Sequence, residues 1–233
     1  FTEMQDDSEV TAGFMWQKTT RESKKYQLRG EILSFIPVDK NVEIMLVTIT
    51  NTGRMAQTVT PTAAIPLYGR SADNIRDHRH VTSLLHRIET TDTGVLVTPT
   101  LSFDERGHQV NHMTYYCVGW SGNGEKPVDF YPTAEDFVGE GGNFERPKKK
   151  KKNAEGVKAG TKIEGLEAVG GLHFSEITLE PEEECSYLIF TGITEDIQEI
   201  RNLSKTYTTR EKVLEELEKT KAYWQEKVNV AYH

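Results

Sequence analysis

Short segments rich in β-branched and apolar residues recur along most of this 233-residue chain, and turn-forming residues bound each of them. The clearest is VEIMLVTITNTG at residues 42–53, which closes on Asn-Thr-Gly. Similar segments occupy residues 57–69, 80–103, 111–120 and 173–193. Because many strands follow one another with little helical period between them, the sequence predicts a mainly β fold, a large antiparallel β-sandwich.

Two local features refine this sheet prediction. Pro61 and Pro66 each remove a backbone donor, so their segment is expected on a sheet edge or at a bulge. The segment ETTDTGV at residues 89–95 has the composition of a hairpin turn between two strands.

The period becomes helical after residue 193. Ile197, Ile200 and Leu203 recur at the spacing of one helix face, and Glu195 and Asp196 suit the start of that helix. The sequence therefore predicts two parts, a β domain over residues 1–193 and a helical segment over 194–233. The helices either pack on the sandwich or lead into a following domain. A second apolar stripe is formed by Val213, Leu214, Leu217, Tyr223 and Trp224.

Residues 121–160 carry many glycines, three prolines and the run Lys148 to Lys152, which predicts mostly loop. A loop of this length inside a compact domain is more often a lid or a binding loop than a connector. A plain insertion is an equally good interpretation of the pattern.

Composition excludes several classes of protein. Lys and Arg number 28 against 36 Asp and Glu, a net charge of −8, which argues against nucleic acid or an anionic membrane as a partner. Two cysteines are too few for a disulfide framework, and no apolar run reaches the roughly 18 residues of a membrane span. We expect a soluble cytoplasmic protein. Residue 1 is Phe and no secretion signal follows it, so we also expect an internal start.

A basic, histidine-rich stretch stands out at residues 74–88, NIRDHRHVTSLLHRI. A strand here would place His78, His80 and His86 on one face, and imidazole with nearby carboxylates can ligate zinc. No recognised ligand spacing is present, so we predict no metal. Arginines at 76, 79 and 87 could instead bind phosphate or sugar hydroxyls. The preferred interpretation is a structural polar network of Arg76, Asp77, His78, Arg79, His80, Asp104, Glu105 and His108.

Three segments of the chain resemble a known family: SADNIRDHRHVTSLLHRIET, LSFDERGH and PTAEDFVGEGGNFERP. They look like the N-terminal β-supersandwich domain of glycoside hydrolase family 94, the inverting glycoside phosphorylases once called glycosyltransferase family 36. The likeness continues through residues 171–193 and into the helices. Within the family it is closest to the phosphorylases of β-1,2-linked glucans. The resemblance implies a galactose-mutarotase-like supersandwich followed by linker helices.

The resemblance also implies a reaction for a longer parent protein. Phosphate attacks a β-glucoside and releases α-glucose 1-phosphate, while one carboxylic acid protonates the leaving oxygen. In the family that acid lies in an (α/α)6 barrel after the linker helices. The present chain is therefore expected to hold no catalytic residue and no cofactor. Its implied partners are a β-glucan oligosaccharide and phosphate in the parent enzyme, the barrel, and a second copy in a homodimer.

The family's substrate-proximal loop follows a DFVG-like segment. Carried over by position, it comprises Glu140, Gly141, Gly142, Asn143, Glu145 and Arg146. Two positions depart from the family pattern. Five lysines stand where relatives continue with an apolar strand, and Glu182 stands where relatives have a glycine in a Pro-Gly-Glu turn.

Two other classes of function remain open from the residues alone. The first is a free-standing carbohydrate-binding module. Such a module would not need the helical tail, whereas a domain linked to a barrel would need it. The second is a metalloenzyme built on the histidine cluster.

Overall fold

A computed structural model describes residues 6–69, 79–104, 107–139, 142–143, 147 and 155–228. The first eight strands are β1 (Ser8–Gly13), β2 (Trp16–Ser23), β3 (Leu28–Phe35), β4 (Val42–Asn51), β5 (Gln57–Val59), β6 (Thr62–Leu67), β7 (His86–Thr90) and β8 (Gly94–Pro99). The next eight are β9 (Leu101–Asp104), β10 (Gly107–Val110), β11 (Thr114–Ser121), β12 (Asp129–Thr133), β13 (Lys162–Glu164), β14 (Ala168–His173), β15 (Ile177–Leu179) and β16 (Glu184–Thr194). The helices are α1 (Arg79–Ser83), α2 (Ala134–Val138), α3 (Ile197–Thr206) and α4 (Arg210–Val228).

Nine of these strands form one antiparallel sheet, here called the main sheet, in the order β1-β2-β3-β4-β16-β11-β8-β7-β13. Its central strands are apolar at successive positions because both faces of the sheet are covered. In β16, Leu188 and Phe190 belong to the core on one face, while Tyr187 and Ile189 belong to the core on the other. The mainly β fold with C-terminal helices is therefore confirmed.

One face of the main sheet is covered by α3 and α4. Phe190 stacks on Trp120 with ring centroids 4.7 Å apart, and Tyr207, at the end of α3, lies 5.6 Å from Phe190. The indole nitrogen of Trp120 also donates to the Tyr207 carbonyl at 3.0 Å. The helices thus pack on the sandwich, which is the first of the two arrangements predicted from the sequence. The boundary at residue 193 and the link to a further domain stay predictions.

The opposite face of the main sheet packs against a small sheet of order β12-β14-β6. Phe130 and Leu172 of the small sheet share a core with Val97 and Ile189 of the main sheet. Strand β6 contains Pro66 and lies at an edge of the small sheet, as the missing donor requires. The edge position predicted for the proline segment is confirmed.

The predicted hairpin turn lies between β7 and β8. The Thr91 amide donates to the Gly94 carbonyl at 2.7 Å, and the Thr91 hydroxyl accepts from the Gly94 amide at 3.1 Å. A threonine hydroxyl that bonds to a backbone amide of its own turn stabilises that turn. The hairpin prediction is confirmed.

The segment predicted as mostly loop also contains two short elements, β12 and α2. Pro132 falls where the β12–β14 register shifts, at a bulge that tolerates a missing donor. One local prediction was wrong. The histidine-rich stretch does not run as a strand through residue 86, since Arg79–Ser83 is a short helix and His86 opens β7. Helix-period and strand-period residues are too few in so short a segment to tell the two apart.

The turn at Glu182 has the backbone that a glycine would favour. Glu182 is exposed with φ +64°, while its amide donates to the Asn51 carbonyl at 2.9 Å. We expect Glu182→Gly to raise the free energy of unfolding by about 0.5–1 kcal/mol, because glycine adopts this region without Cβ strain. Urea unfolding followed by circular dichroism measures the change.

Glu176→Gly is the matched control for this turn. Glu176 is also exposed and does not have positive φ, so its loss of side chain should lower the free energy of unfolding by about 0.5–1 kcal/mol. Equal losses at both positions would contradict the prediction for Glu182.

Candidate functional site

The predicted substrate loop is described at two of its six positions. Gly142 is half-buried and its amide donates to the Gly139 carbonyl at 3.2 Å, while Asn143 is exposed. The other four, Glu140, Gly141, Glu145 and Arg146, lie outside the described residues. The role of the loop in binding therefore stays a prediction, but the structure shows how the chain enters and leaves it.

The chain enters the loop through helix α2, which is capped at both ends. The Thr133 hydroxyl accepts from the Asp136 amide at 3.0 Å and donates to the Asp136 carboxylate at 2.7 Å. At the other end, Gly139 has φ +69° and its amide donates to the Glu135 carbonyl at 2.9 Å. A threonine before the helix and a glycine after it are the residues that cap helices best. The start of the loop is thus held in a defined direction.

The chain leaves the loop against strand β12. Val157 pairs with Phe130 through two backbone hydrogen bonds of 2.9 Å. Gly156 packs closely on Asp129, since a Cβ at residue 156 would lie 2.6 Å from the Asp129 carboxylate. Both ends of the loop are therefore attached to β12, one through α2 and the other through Gly156 and Val157.

A carboxylate–imidazole pair lies at the same strand. His173 Nδ1 is 2.6 Å from Asp129 Oδ1, and the Asp129 side chain is 7% exposed against 22% for His173. The two residues are opposite each other in β12 and β14, and the Tyr131 ring lies 5.7 Å from the His173 ring. Burial, followed by the Asp129 charge, raises the pKa of Tyr131. This cluster of Asp129, Tyr131 and His173 is called the β12 cluster.

The β12 cluster can orient groups more readily than it can perform a reaction. A buried carboxylate that holds one imidazole nitrogen fixes the ring, as in many hydrogen-bonded structural pairs. Sequence reasoning missed this cluster because 44 residues separate its acid from its histidine. Only strand pairing brings the two together, and no local motif marks either of them.

The predicted polar network is mostly beyond what the structure describes. Arg76, Asp77, His78 and Glu105 lie outside the described residues. Arg79 and His80 are described as backbone of α1, Asp104 as backbone of β9, and His108 as an exposed residue of β10. The network stays a prediction. Within the described ranges, no three His, Cys, Asp or Glu side chains are grouped so that they could hold a metal ion.

His86, from the same stretch, is a buried structural residue. It is 3% exposed, and its Nδ1 is 3.1 Å from the Leu166 carbonyl. It lines a cavity of about 20 Å³ with Thr82, Ser83, Ala134 and Glu167. Pockets for small molecules measure roughly 300–1,000 Å³, so this cavity is too small for a sugar. The segments before residue 70, after residue 78 and at the start of α2 meet around His86.

Burial gives His86 a testable pH dependence. Burial lowers the pKa of His86, against the opposing effect of its hydrogen bond to Leu166. The unfolded chain therefore binds a proton at this position at higher pH than the folded chain does. Stability from His86 should be complete above about pH 6.5 and should fall as the pH drops from there to the lower folded pKa.

The measurement is thermal or urea unfolding from pH 8 to pH 5 for the wild type and for His86→Gln. The wild type should lose up to about 1.4 kcal/mol per pH unit more than His86→Gln within that window. His112→Gln, at an exposed histidine, is the control and should follow the wild type. Parallel curves for wild type and His86→Gln would contradict the assignment.

Comparison with known proteins identifies the family. The family model of the glycosyl hydrolase 94 supersandwich domain matches residues 2–210, which is most of the chain. The chain belongs to the glycosyl hydrolase 94 supersandwich family. The matched residues include the main sheet, the small sheet and α3. No curated protein shows a significant match.

Solved structures add a distant similarity. A polysaccharide lyase matches with a TM-score of 0.42 and 13% sequence identity, over 83% of this chain and 23% of the lyase chain. The chain thus spans about a quarter of the length of that protein. In the described residues, neither long helix has the length and apolar character needed to cross a bilayer.

Proposed function

We propose that this glycosyl hydrolase 94 supersandwich domain is the non-catalytic N-terminal part of an inverting glycoside phosphorylase. The parent enzyme converts a β-glucoside and phosphate to α-glucose 1-phosphate. The observation that carries the proposal is the family match over residues 2–210. The resemblance of residues 132–147 to the family's segment around its substrate-proximal loop supports the same function.

The chemistry explains why such a domain needs no catalytic pair. Phosphate is itself the nucleophile, so the enzyme supplies one carboxylic acid to protonate the leaving oxygen. We place that acid in an (α/α)6 barrel of the parent enzyme. The domain contributes support for the barrel, contacts between two subunits, and the loop that follows α2. A cytoplasmic location fits an enzyme that uses intracellular phosphate.

The β12 strand is the structural basis for the loop's role. Caps at Thr133 and Gly139 fix the first side of the loop, and the Phe130–Val157 backbone pair fixes the second. The Asp129–His173 pair holds the strand itself to β14. A loop with both ends fixed loses less conformational entropy when it binds a sugar than a loop with free ends does. Asn143 and Arg146 are the side chains that we expect to bond sugar hydroxyls.

The first experiment measures phosphate-dependent release of glucose 1-phosphate from β-linked gluco-oligosaccharides. The chain of 233 residues alone should give no product above background. The parent enzyme should give α-glucose 1-phosphate only when phosphate is present. Turnover by the chain alone would overturn its non-catalytic role, and phosphate-independent hydrolysis by the parent would overturn the phosphorylase assignment.

The second experiment tests the loop in the parent enzyme. Arg146→Ala should raise KM for the oligosaccharide roughly 10-fold with a smaller effect on kcat, because about 1.5 kcal/mol of hydrogen bonding to the sugar is lost. Lys150→Ala, in the nearby lysine run, is the matched control and should leave KM within about twofold. Equal effects of the two substitutions would remove the loop from the proposal.

A further inference from the structure

A groove of about 350 Å³ lies on the helix-facing side of the main sheet, where β13, β7, β8 and β11 meet the start of α3. Helices α3 and α4 pack across the rest of this face, and Lys221 of α4 lies over the Trp16 ring of β2. The groove therefore lies beyond the first residue of α3, Ile197, which is 43% exposed. Its volume falls within the roughly 300–1,000 Å³ of small-molecule sites.

Hydrogen-bond donors and acceptors line the groove on neighbouring strands. Arg87 Nε is 3.5 Å from Glu164 Oε2, and Lys162 Nζ is 3.9 Å from Glu89 Oε2. Both pairs join opposite residues of β7 and β13. The Thr98 hydroxyl adds a neutral donor and acceptor to this row.

The orientation of these groups is set by the sheet. Arg87 Nη1 donates to the His86 carbonyl at 3.0 Å, which keeps the guanidinium over β7. The hydroxyls of Thr98 and Thr114 are 3.3 Å apart on the neighbouring strands. Leu96, opposite Glu89, is only 8% exposed, and the exposed apolar side chain of the lining is Ile197. The lining therefore combines polar groups with one exposed apolar side chain.

Charge balance indicates which ligand fits. Two cations and two anions line the groove, so their charges cancel and an ionic ligand gains little from them. Both ion pairs are long and exposed, so each contributes little to stability and can exchange its partner for a ligand hydroxyl. A neutral molecule with many hydroxyls can donate to the carboxylates and accept from the arginine and lysine. A sugar ring also offers an apolar C–H face to Ile197, which is exposed.

We propose that this groove is a binding site for a neutral saccharide. The inference goes beyond the proposed function, because the groove and the β12 loop are on opposite faces of the main sheet. The groove would hold a part of the oligosaccharide away from the reacting bond, or a separate oligosaccharide.

Two-dimensional ¹⁵N–¹H NMR of the 233-residue chain tests the site with a short neutral β-linked gluco-oligosaccharide. Amide shifts should move in β7, β8 and β13, with a Kd on the order of 1 mM, as exposed polar contacts give. Glycerol at the same concentration is the control ligand and should move none of these amides. Shifts confined to residues 134–143 would overturn the groove while leaving the proposed function in place.

The decisive variant is Thr98→Val, which removes a hydroxyl and keeps the shape of the side chain. It should weaken saccharide binding roughly 2- to 10-fold with an unchanged spectrum elsewhere. Thr58→Val is the matched control, since Thr58 also lies in a strand with its hydroxyl 3.0 Å from a threonine of the next strand, Thr178. No shifts at millimolar saccharide, or equal weakening by both variants, would overturn the proposal.

Discussion

The Gly94→Ala variant is expected not to fold. A Cβ at residue 94 would lie 2.1 Å from the Cys117 carbonyl oxygen and 2.6 Å from the Val118 Cα, and both atoms are backbone of the adjacent strand β11. Backbone atoms of a central strand cannot move aside as a side chain can, so β8 and β11 would have to separate. The expected loss exceeds about 4 kcal/mol, a large part of the 5–15 kcal/mol that stabilises a typical domain. Circular dichroism and urea unfolding measure it.

Gly30→Ala is the matched control in the same sheet. A Cβ at residue 30 has no atom within 4 Å, and Gly30 does not have positive φ. The substitution should change the free energy of unfolding by less than about 1 kcal/mol, because the new Cβ meets no neighbour and alanine restricts the unfolded chain more than glycine does. If Gly94→Ala unfolded at the same urea concentration as Gly30→Ala, the close approach of β8 and β11 would be wrong.

Phe190→Ala is expected to lower the free energy of unfolding by about 3–5 kcal/mol. Phe190 is fully buried between the main sheet and the helices, where it contacts the rings of Trp120 and Tyr207. Its loss opens a cavity beside these two rings, and the Trp120 indole cannot move far into it without losing its hydrogen bond to the Tyr207 carbonyl. Urea unfolding gives the stability change, and tryptophan fluorescence reports the altered surroundings of Trp120.

Ile32→Ala is the control for this core. Ile32 lies in β3 of the same sheet and is 43% exposed, so its truncation should cost less than about 1 kcal/mol. A similar loss in both variants would show that α3 and α4 do not cover the sheet at Phe190. The expected difference between them makes the helices a part of the domain's own core.

This packing bears on the proposed role of the helices. Tyr207 contacts Phe190 with its ring, and its hydroxyl accepts a hydrogen bond of 2.5 Å from Lys40 in the β3–β4 connection. Val213 and Leu217 of α4 share the same core. Helices so firmly attached to the sheet would transmit the position of the domain to the proposed barrel. Flexible tethering would require these apolar residues to leave the core.

Some parts of the candidate site can be recognised from the sequence, and others only from the tertiary structure. The glycines, prolines and lysines of residues 121–160 mark a loop from the sequence, and the resemblance of the DFVG-like segment to the family locates the substrate loop within it. The Asp129–His173 pair and the groove of Arg87, Glu164 and Thr98 have no such local signal. Their members come from separate strands, and only the registers of β12 with β14 and of β7 with β8 and β13 bring them together.

The residues alone determined that the chain is mainly strands followed by C-terminal helices, because side-chain period and turn residues act over a few positions. They also determined local details such as the proline edge strand and the hairpin turn at residues 89–95. Tertiary structure decided the order of the nine strands, the packing of α3 and α4 on one face, and the meeting of both loop ends at β12. These features depend on which apolar faces bury each other, and that free energy is shared among residues far apart in the chain.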